Sequence, residues 1–264
     1  MSGHLSREDG ARASERDGLS GRSLREDKRD DTMRTRWRPI NIMRALGDRA
    51  GRVKGAIASR AAGLKRYPPN YAFFESFQPD EIAIDVGTAD DPDFSLLMMR
   101  RFGLQCYCVD PTRKHARSLE EHQAKEKRLR YLPYALGARD EKVIFFESIE
   151  QASGSLLRGH VNVAEGKVNQ YPVQVITLET LLSMIGHRTA AILKIDIEGA
   201  EYGLIAGLTR HAVEPFRQIL IEFHHGKVAG IRRQQTADAV HHIQDLGMRS
   251  LDFNGRDCLF YWNR

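Results

Sequence analysis

The sequence predicts an α/β fold: a mostly parallel sheet with helices on both faces and an antiparallel hairpin at its C-terminal end. From residue 81 onward, short apolar strand patterns alternate with amphipathic helix patterns, which is typical of a parallel sheet covered on both sides. The run Ala190–Ile195 is apolar except at Lys194, as expected of a central strand buried on both faces. Near the C-terminus, Asn254-Gly255 separates two strand patterns and predicts a hairpin turn.

The strand predictions rest on short runs of β-branched, aromatic and other apolar residues bounded by polar or turn residues. They are Glu81–Val86, Gln105–Val109, Arg128–Tyr134, Lys142–Glu147 (a further strand or a hairpin with the preceding one), Val173–Ile176, Ala190–Ile195, Gln218–Phe223, Arg249–Phe253 and Cys258–Trp262. Helices are predicted where apolar residues recur every three or four positions. They are Phe94–Phe102, Arg113–Lys127, Leu178–Ile185, Ala200–Leu208 and Thr236–Leu246. The polar, glycine-containing stretch 148–170 is predicted to be a loop.

The chain has 264 residues and a formal net charge of +5, and this charge is unevenly distributed. Residues 1–32 hold seven Lys or Arg and eight Asp or Glu, with little apolar content, which predicts a disordered tail. Residues 33–66 hold ten Lys or Arg and one acid, a net charge of +9. We therefore expect three parts: the tail 1–32, a basic helical segment 33–69 and a folded catalytic domain 70–264.

The basic segment 33–66 also has apolar residues at helical spacing, interrupted near Gly51. Such a helix can attach to an anionic membrane surface, or it can pack on the domain with a solvated basic face. Nucleic-acid binding is not expected, because the segment has a single aromatic residue, Trp37, and no known reader motif. Since no apolar run could span a bilayer and no signal peptide pattern is present, we expect a cytoplasmic protein, with peripheral membrane contact through this segment as one of the two alternatives.

Two strand ends carry the pattern of a nucleotide-binding site. The first strand ends in Asp85-Val86-Gly87, where the glycine permits a tight turn close to a ligand. Asp110 follows the second strand, 25 residues after Asp85. A carboxylate at that place can accept hydrogen bonds from both ribose hydroxyls. The alternative is that Asp110 caps the helix that begins near Arg113. Because Asp110 occurs together with the Gly87 turn, we favour ribose binding over capping.

The buried strand 190–195 contains a lysine and is followed by acids. Because a buried ammonium is costly unless it is paired, Lys194 is predicted to pair with Asp85, Asp196 or Glu222. Glu222 and His224 end the neighbouring strand two residues apart, so they lie on one face. Asp196, Glu222 and His224 are therefore the candidate catalytic residues, as a cluster that accepts a proton.

Other roles for these residues remain open. Asp196 and Glu198 could simply stabilise the N-terminus of the following helix, and His224 could be a structural histidine. A divalent ion bound by Asp196, Glu222 and His224 is a further alternative. We favour proton transfer by Asp196 and expect no metal site, and the three cysteines have no zinc spacing either.

The chain resembles FkbM-type methyltransferases over residues 70–262. The resemblance is carried by Asp85-Val86-Gly87, Val109-Asp110-Pro111, Ala135-Leu136-Gly137, Val175-Ile176-Thr177-Leu178-Glu179-Thr180-Leu181-Leu182, Leu193-Lys194-Ile195-Asp196-Ile197-Glu198-Gly199-Ala200-Glu201 and Ile221-Glu222-Phe223-His224. It implies a Rossmann-like class I methyltransferase sheet of seven strands with a reversed last hairpin. It also implies S-adenosylmethionine as cofactor, bound by Asp85, Gly87, Asp110 and Ala135, and a hydroxylated acceptor such as a sugar, glycolipid or natural product.

The chain departs from the family pattern in two places. A small or glycine-containing run usually follows the first glycine, whereas here Thr88-Ala89-Asp90-Asp91-Pro92-Asp93 follows Gly87. These aspartates could crowd the carboxylate of the cofactor, or they could favour its ammonium and sulfonium charges. The second strand usually ends in glutamate, and Asp110 is a shorter carboxylate with the same chemistry.

The sequence thus predicts an O-methyltransferase in which Asp196 accepts the proton of the acceptor hydroxyl. A nicotinamide dehydrogenase is a second interpretation, because an acid after a strand also suits that cofactor, but no Gly-x-Gly-x-x-Gly fingerprint follows the first strand. A third is a catalytically silent methyltransferase-like module that binds a membrane surface or a partner through residues 33–66.

Overall fold

The computed structural model describes residues 63–164 and 166–263. The predicted tail 1–32 and nearly all of the basic segment 33–69 lie outside these residues. The strands are β1 Lys65–Tyr67, β2 Tyr71–Phe73, β3 Ile82–Val86, β4 Gln105–Val109, β5 Leu129–Leu132, β6 Ala135–Leu136, β7 Glu141–Ser148, β8 Gly154–Ser155, β9 Val168–Ile176, β10 Ala190–Ile195, β11 Phe216–Glu222, β12 Arg249–Asp252 and β13 Asp257–Tyr261. The helices are α1 Asp93–Phe102, α2 Arg113–Lys125, α3 Val161–Ala164, α4 Leu178–Ile185, α5 Glu201–Ala206, α6 Arg210–Val213 and α7 Arg233–Asp245.

The central sheet has seven strands in the order β12-β13-β11-β10-β3-β4-β5. Neighbours from β11 to β5 are parallel, whereas β13 is antiparallel to both β11 and β12. This order confirms the predicted class I methyltransferase sheet with its reversed C-terminal hairpin. The carboxyl ends of the parallel strands share one edge of the sheet, and β13 begins at that same edge because Glu222 pairs with Asp257.

Helices cover both faces of the central sheet. On one face, apolar side chains of α4, α5, α6 and α7, such as Leu181, Val213 and Ile243, pack on β10 and β11. On the other face, α1, α2 and the β1–β2 hairpin contribute Phe94, Leu119 and Phe73. Because β10 lies between these two layers, every residue from Ala190 to Ile195 is buried, as its apolar run predicts.

A second, four-stranded sheet, in the order β6-β9-β7-β8, was not predicted. β7 pairs antiparallel with β9 along its full length, whereas β5 pairs with β4 in the central sheet. Of the two alternatives for residues 142–147, the further strand is therefore confirmed and the hairpin with the strand at 128–134 is wrong. β9 begins at Val168, earlier than the predicted strand at Val173, because Asn169 and Gln170 are exposed and hide the strand pattern. The predicted loop 148–170 also contains β8 and α3.

The β1–β2 hairpin belongs to the folded body. Residues 63–69 were predicted to end a helical segment, but they contain β1 and the turn after it, so the predicted boundary at residue 70 falls inside this hairpin. Phe73 is fully buried. The backbone of Phe74 is held by Gln218 of β11, which accepts from its N–H at 2.8 Å and donates to its carbonyl oxygen at 3.0 Å.

Within the described part of the chain, no helix has the length and apolar character needed to cross a lipid bilayer.

Candidate active site at the carboxyl edge of the sheet

A cavity of about 750 Å³, including its open mouth, lies at the carboxyl edge of β3, β4 and β10. Its wall is built from the ends of these strands, from β6 and from the segment around β8. The lining residues are Val86, Gly87, Ala89, Val109, Asp110, Pro111, Thr112, His115, Tyr134, Ala135, Leu136, Phe145, Ala152, Ser153, Gly154, Leu156, Asp196, Ile197, Glu198 and Ala200.

Gly87 joins the ends of three strands. Its N–H donates to the carbonyl oxygen of Val109 at 2.9 Å, and the N–H of Asp196 donates to the carbonyl oxygen of Val86 at 3.0 Å. Gly87 has a φ of 76°, and a Cβ at this position would overlap the carbonyl group of Asp196. Only glycine therefore permits β3 and β10 to meet this closely beside the cavity.

Asp110 presents a fixed carboxylate to the cavity. It accepts the N–H of Ala89 at 2.9 Å and the N–H of Thr112 at 2.8 Å, one on each oxygen. The second bond lies just before α2, on the N–H of the N-cap residue Thr112 and not on an N–H group of the helix itself, so Asp110 does not act as the predicted alternative cap. A carboxylate has about four acceptor positions, so each oxygen of Asp110 keeps the capacity to accept from a ligand hydroxyl.

Next to Asp110 the cavity wall is largely apolar. Val109, Pro111, Tyr134, Ala135 and Leu136 line this part. Ala135, which the family resemblance assigns to the cofactor, lies in β6 and is held by pairing with Val175 of β9. The combination of an apolar slot and a neighbouring carboxylate suits a planar heterocycle attached to a ribose.

The aspartate-rich turn after Gly87 does not crowd the cavity. Ala89 lines the wall, whereas Asp90 and Asp91 are exposed and are not among the lining residues. Asp93 begins α1 and accepts the hydroxyl of Tyr71 at 2.5 Å. This departure from the family pattern is therefore accommodated at the surface.

Lys194 pairs with two acids, as predicted. Its Nζ lies 3.0 Å from Oδ1 of Asp85 and 3.8 Å from Oδ2 of Asp196. Burial alone would lower the pKa of Lys194, but the charges of Asp85 and Asp196 outweigh it and raise that pKa above its ordinary value. Asp85 also accepts from Oγ of Ser95 at 3.1 Å. Asp85 is buried and is not among the residues lining the cavity, so the structure places it behind the site, in contrast to its predicted contact with the cofactor.

His224 is oriented by a buried acid that sequence reasoning missed, Glu201. One Glu201 oxygen accepts the backbone N–H of His224 at 2.8 Å and lies 3.2 Å from its Nδ1. Nε2 of His224 lies 3.5 Å from both Asp196 and Glu198. Burial would lower the pKa of His224, but the bond with Glu201 and the three carboxylate charges raise it to about 9. His224 is therefore a cation at neutral pH.

Asp196 is the predicted catalytic residue that reaches the cavity. Its side chain keeps about 27 % exposure, between the cations of Lys194 and His224. Burial raises the pKa of Asp196, although both cations act to lower it. Glu222 and His224 do not line the cavity. Burial and then the charge of Asp196 raise the pKa of Glu222 to about 7, so Glu222 takes up a proton near neutrality.

Glu198 and His160 were not predicted as a pair. Glu198 lines the cavity with a positive φ of 51°, a conformation that costs energy outside glycine and is concentrated at functional sites. Nε2 of the fully buried His160 lies 2.8 Å from Oε2 of Glu198, and Oγ of Ser155 donates to the Glu198 carbonyl oxygen at 2.8 Å. Burial raises the pKa of Glu198, but the contacts with His160 and His224 lower it overall.

Within residues 63–164 and 166–263, no three His, Cys, Asp or Glu side chains are arranged to hold a metal ion. The carboxyl edge instead presents acids in strand order. Asp110 follows β4, Asp196 follows β10, Glu222 ends β11 and Asp257 begins β13.

Comparison with known proteins gives a family match and distant structural likenesses. No curated protein matches the chain. Among solved structures, fibrillarin, a pre-rRNA processing protein of Methanococcus jannaschii, has 9 % identity and a TM-score of 0.45, covering 76 % of this chain and 70 % of that one. Aeropyrum pernix fibrillarin with natively bound S-adenosylmethionine has 11 % identity and a TM-score of 0.42, covering 75 % and 80 %. A Pyrococcus furiosus methyltransferase has 10 % identity and a TM-score of 0.40, covering 82 % and 99 %.

None of these distant structural likenesses assigns an activity to this chain. The family match is more specific, because residues 85–253 match the methyltransferase FkbM domain. That range is well over half of the 264 residues and includes Gly87, Asp110, Asp196 and Glu222. It confirms the resemblance carried by the strand-end motifs. The chain therefore belongs to the methyltransferase FkbM domain family.

Proposed function

We propose that this protein transfers a methyl group from S-adenosylmethionine to a hydroxyl of a sugar, glycolipid or natural product. The observation that carries the proposal is the placement of Asp110 and Asp196 in the wall of one cavity. Their strands, β4 and β10, are separated by β3 alone. Two strand spacings amount to about 10 Å, which leaves room for a ribose held by Asp110 and a sulfonium methyl group beside Asp196.

The residues present fit the cofactor. The apolar slot beside Ala135 suits the adenine ring, and the remaining acceptor capacity of Asp110 suits the ribose hydroxyls. Asp196 and Glu198, two carboxylates in the opposite wall, favour the positive sulfonium and ammonium groups. Gly87 lets the backbone approach the ligand between these two ends.

When bound, S-adenosylmethionine supplies an activated methyl group on a positively charged sulfur. The chain must position the acceptor hydroxyl and receive its proton. Asp196 is the side chain placed for both tasks, since it reaches the cavity and is held by Lys194 and His224. His224, oriented by Glu201 and cationic at neutral pH, cannot be the base in that state and instead fixes Asp196. Alignment of the reacting atoms supplies the rest of the rate enhancement.

The structure argues against a nicotinamide dinucleotide in this cavity. A pyrophosphate normally binds at the N-terminus of the helix after the first strand. Here that helix is α1, and the turn before it carries Asp90 and Asp91, with Asp93 as its first residue. These three carboxylates do not line the cavity, but they lie beside the N-terminus of α1, where they would repel a pyrophosphate.

Calorimetric titration with S-adenosylmethionine and, separately, with NAD tests the proposal. We expect binding of S-adenosylmethionine and none of NAD. The variant Asp110→Ala should weaken the first interaction by about 1.5–3 kcal/mol, the scale of hydrogen bonds to a charged group. Asp91→Asn, an exposed change in the turn after Gly87, is the matched control and should bind like the parent.

Binding of NAD instead would overturn the methyltransferase proposal in favour of a dehydrogenase. Failure to bind either molecule would leave a silent module of methyltransferase fold. Unchanged S-adenosylmethionine affinity in Asp110→Ala would remove Asp110 from the site while leaving the reaction class intact.

A further inference from the structure

We infer that a second, polar groove at the same sheet edge binds the methyl acceptor, and that its ligand is a neutral ring bearing several hydroxyls. This inference rests on the proposed methyl transfer. The groove has about 320 Å³ of space and lies between the β1–β2 hairpin and the turn from β12 to β13. Its lining residues are Arg66, Tyr67, Pro69, Asn70, Tyr71, Phe253, Asn254 and Asp257.

The sheet order places this groove on the far side of Asp196 from the cofactor cavity. β11 lies next to β10, and β13 lies next to β11. Glu222 pairs with Asp257 at the carboxyl edge, so Asp257 is two strand spacings, about 10 Å, beyond the end of β10. Asp196 therefore stands between the ribose-binding end at Asp110 and the groove at Asp257, where a transferring methyl group has to pass.

Tyr71, in the hairpin wall of the groove, contacts the start of α1. The ring of Tyr71 packs edge-on against Phe94 of α1 with 5.1 Å between centroids, and its hydroxyl donates to Asp93. Burial raises the pKa of Tyr71, and the hydrogen bond to Asp93 adds to this effect. Because Asp93 is the first residue of α1, Tyr71 connects the groove that it lines to the helix that follows the Gly87 turn.

The groove offers several fixed polar groups and little net charge. The Arg66 guanidinium lies 5.1 Å from the centroid of the Phe253 ring, which orients a group that has five N–H donors. Asp257 is a buried acceptor held by the side-chain amide of Asn254. Arg66 and Asp257 are the charged residues of the lining, and their charges cancel, so a charged ligand should bind no better than a neutral one. The donors and acceptors on both walls suit the hydroxyls of a saccharide.

Saturation-transfer NMR on the full chain with bound S-adenosylhomocysteine tests this assignment. The probes are methyl hexosides and methyl 6-deoxyhexosides, and positive probes are then titrated. We expect at least one glycoside to bind, and Arg66→Gln and Asp257→Asn each to weaken it by about tenfold, the worth of one strong hydrogen bond. Arg100→Gln is the matched control, since Arg100 is an exposed arginine of α1 paired with Glu126. The affinity for S-adenosylhomocysteine should stay the same in all three variants.

Absence of glycoside binding, or binding that Arg66→Gln leaves unchanged, would overturn the groove assignment. Because Arg66 is exposed and outside the core, Arg66→Gln decides the question even if Asp257→Asn fails to fold. Either of these two results would leave the proposed function standing, provided that the parent protein binds S-adenosylhomocysteine. If the parent protein did not bind S-adenosylhomocysteine, the proposed function would be overturned and this inference with it.

Discussion

The two halves of the carboxyl edge hold their acids in different ways. In the cofactor half, at the ends of β3 and β4, Asp110 accepts two backbone N–H groups and Asp85 is bound by Lys194 and Ser95. In the other half, where we propose that the acceptor binds and which we call the acceptor half, Asp196, Glu222 and Asp257 lie on successive strands of the sheet. There burial raises the pKa of each of these three acids.

The difference indicates which acids bind and which exchange protons. A carboxylate that is satisfied by fixed donors is suited to hold a ligand in place. A crowded, partly buried carboxylate has a pKa closer to neutrality and can take up a proton during a reaction. We therefore expect substitutions in the cofactor half to affect binding, and substitutions in the acceptor half to affect proton transfer and its pH dependence.

The largest expected effect is that of Asp196→Asn on turnover. Asparagine keeps the size of the side chain but cannot accept a proton as a carboxylate does. Loss of a general base costs about 10²–10⁴-fold in rate. Most of the S-adenosylmethionine affinity should persist, because Asp110, the apolar slot and the Glu198 carboxylate are untouched. Single-turnover kinetics with the accepted sugar or natural product, alongside calorimetry, separates the two effects.

Asp91→Asn serves as the control for Asp196→Asn, since it removes an exposed carboxylate from the turn after Gly87. Its turnover should equal that of the parent protein. If Asp196→Asn also turned over at the parental rate, Asp196 would be structural, and the contrast between the two halves of the edge would not extend to catalysis.

The next largest effect is that of Lys194→Met on stability. Lys194 lies between the two halves and is bound to Asp85 at 3.0 Å. Its removal leaves Asp85 buried with Ser95 as the remaining side-chain donor, and breaking a buried pair in this way costs about 3–5 kcal/mol. Urea unfolding at neutral pH measures the loss.

The double variant Lys194→Met with Asp85→Asn tests the cause of that loss. It removes the charge left behind by Lys194→Met, so it should recover a substantial part of the lost stability. If Lys194→Met cost less than about 1 kcal/mol, the ion pair would not be a main support of this edge.

The parts of the fold that follow from local sequence were predictable. The continuous apolar run of β10 and the Asn254-Gly255 turn predicted the central strand and the reversed hairpin that the structure contains. The second sheet was not, since β9 begins with exposed polar residues and is defined by its pairing with β7. The extent of β9 is therefore set by the residues of β7 with which it pairs, and not by a pattern in its own residues.

The candidate site divides in the same way. Gly87, Asp110 and Asp196 stand at strand ends, where sequence patterns point directly to the sheet edge. Glu201 and His160 act through contacts made only in the folded chain, with His224 and Glu198 respectively. Lys194 was predictable in spite of its tertiary partners, because burial of a charge requires an acid nearby.

The smallest effect expected is a change in the pH dependence of stability in Glu222→Gln. The folded state raises the pKa of Glu222 from 4.5 to about 7, through burial and then through the charges of Asp196 and Asp257. Glu222 therefore stabilises the fold fully below about pH 4.5, and this contribution is lost as the pH rises through about 7. Glutamine resembles the protonated acid at every pH, so the variant escapes that loss.

We thus expect Glu222→Gln to be more stable than the parent by about 1–2 kcal/mol at pH 8, after allowance for partial solvent screening, and to match the parent at pH 4. Chemical denaturation at several pH values between these limits gives the difference curve, which should rise between about pH 4.5 and 7. The matched change Glu121→Gln, on an exposed acid of α2, should give a flat curve. A flat curve for Glu222→Gln as well would show that Asp196 and Asp257 do not raise the pKa of Glu222. The acids of the two halves of the edge would then not differ in the way proposed here.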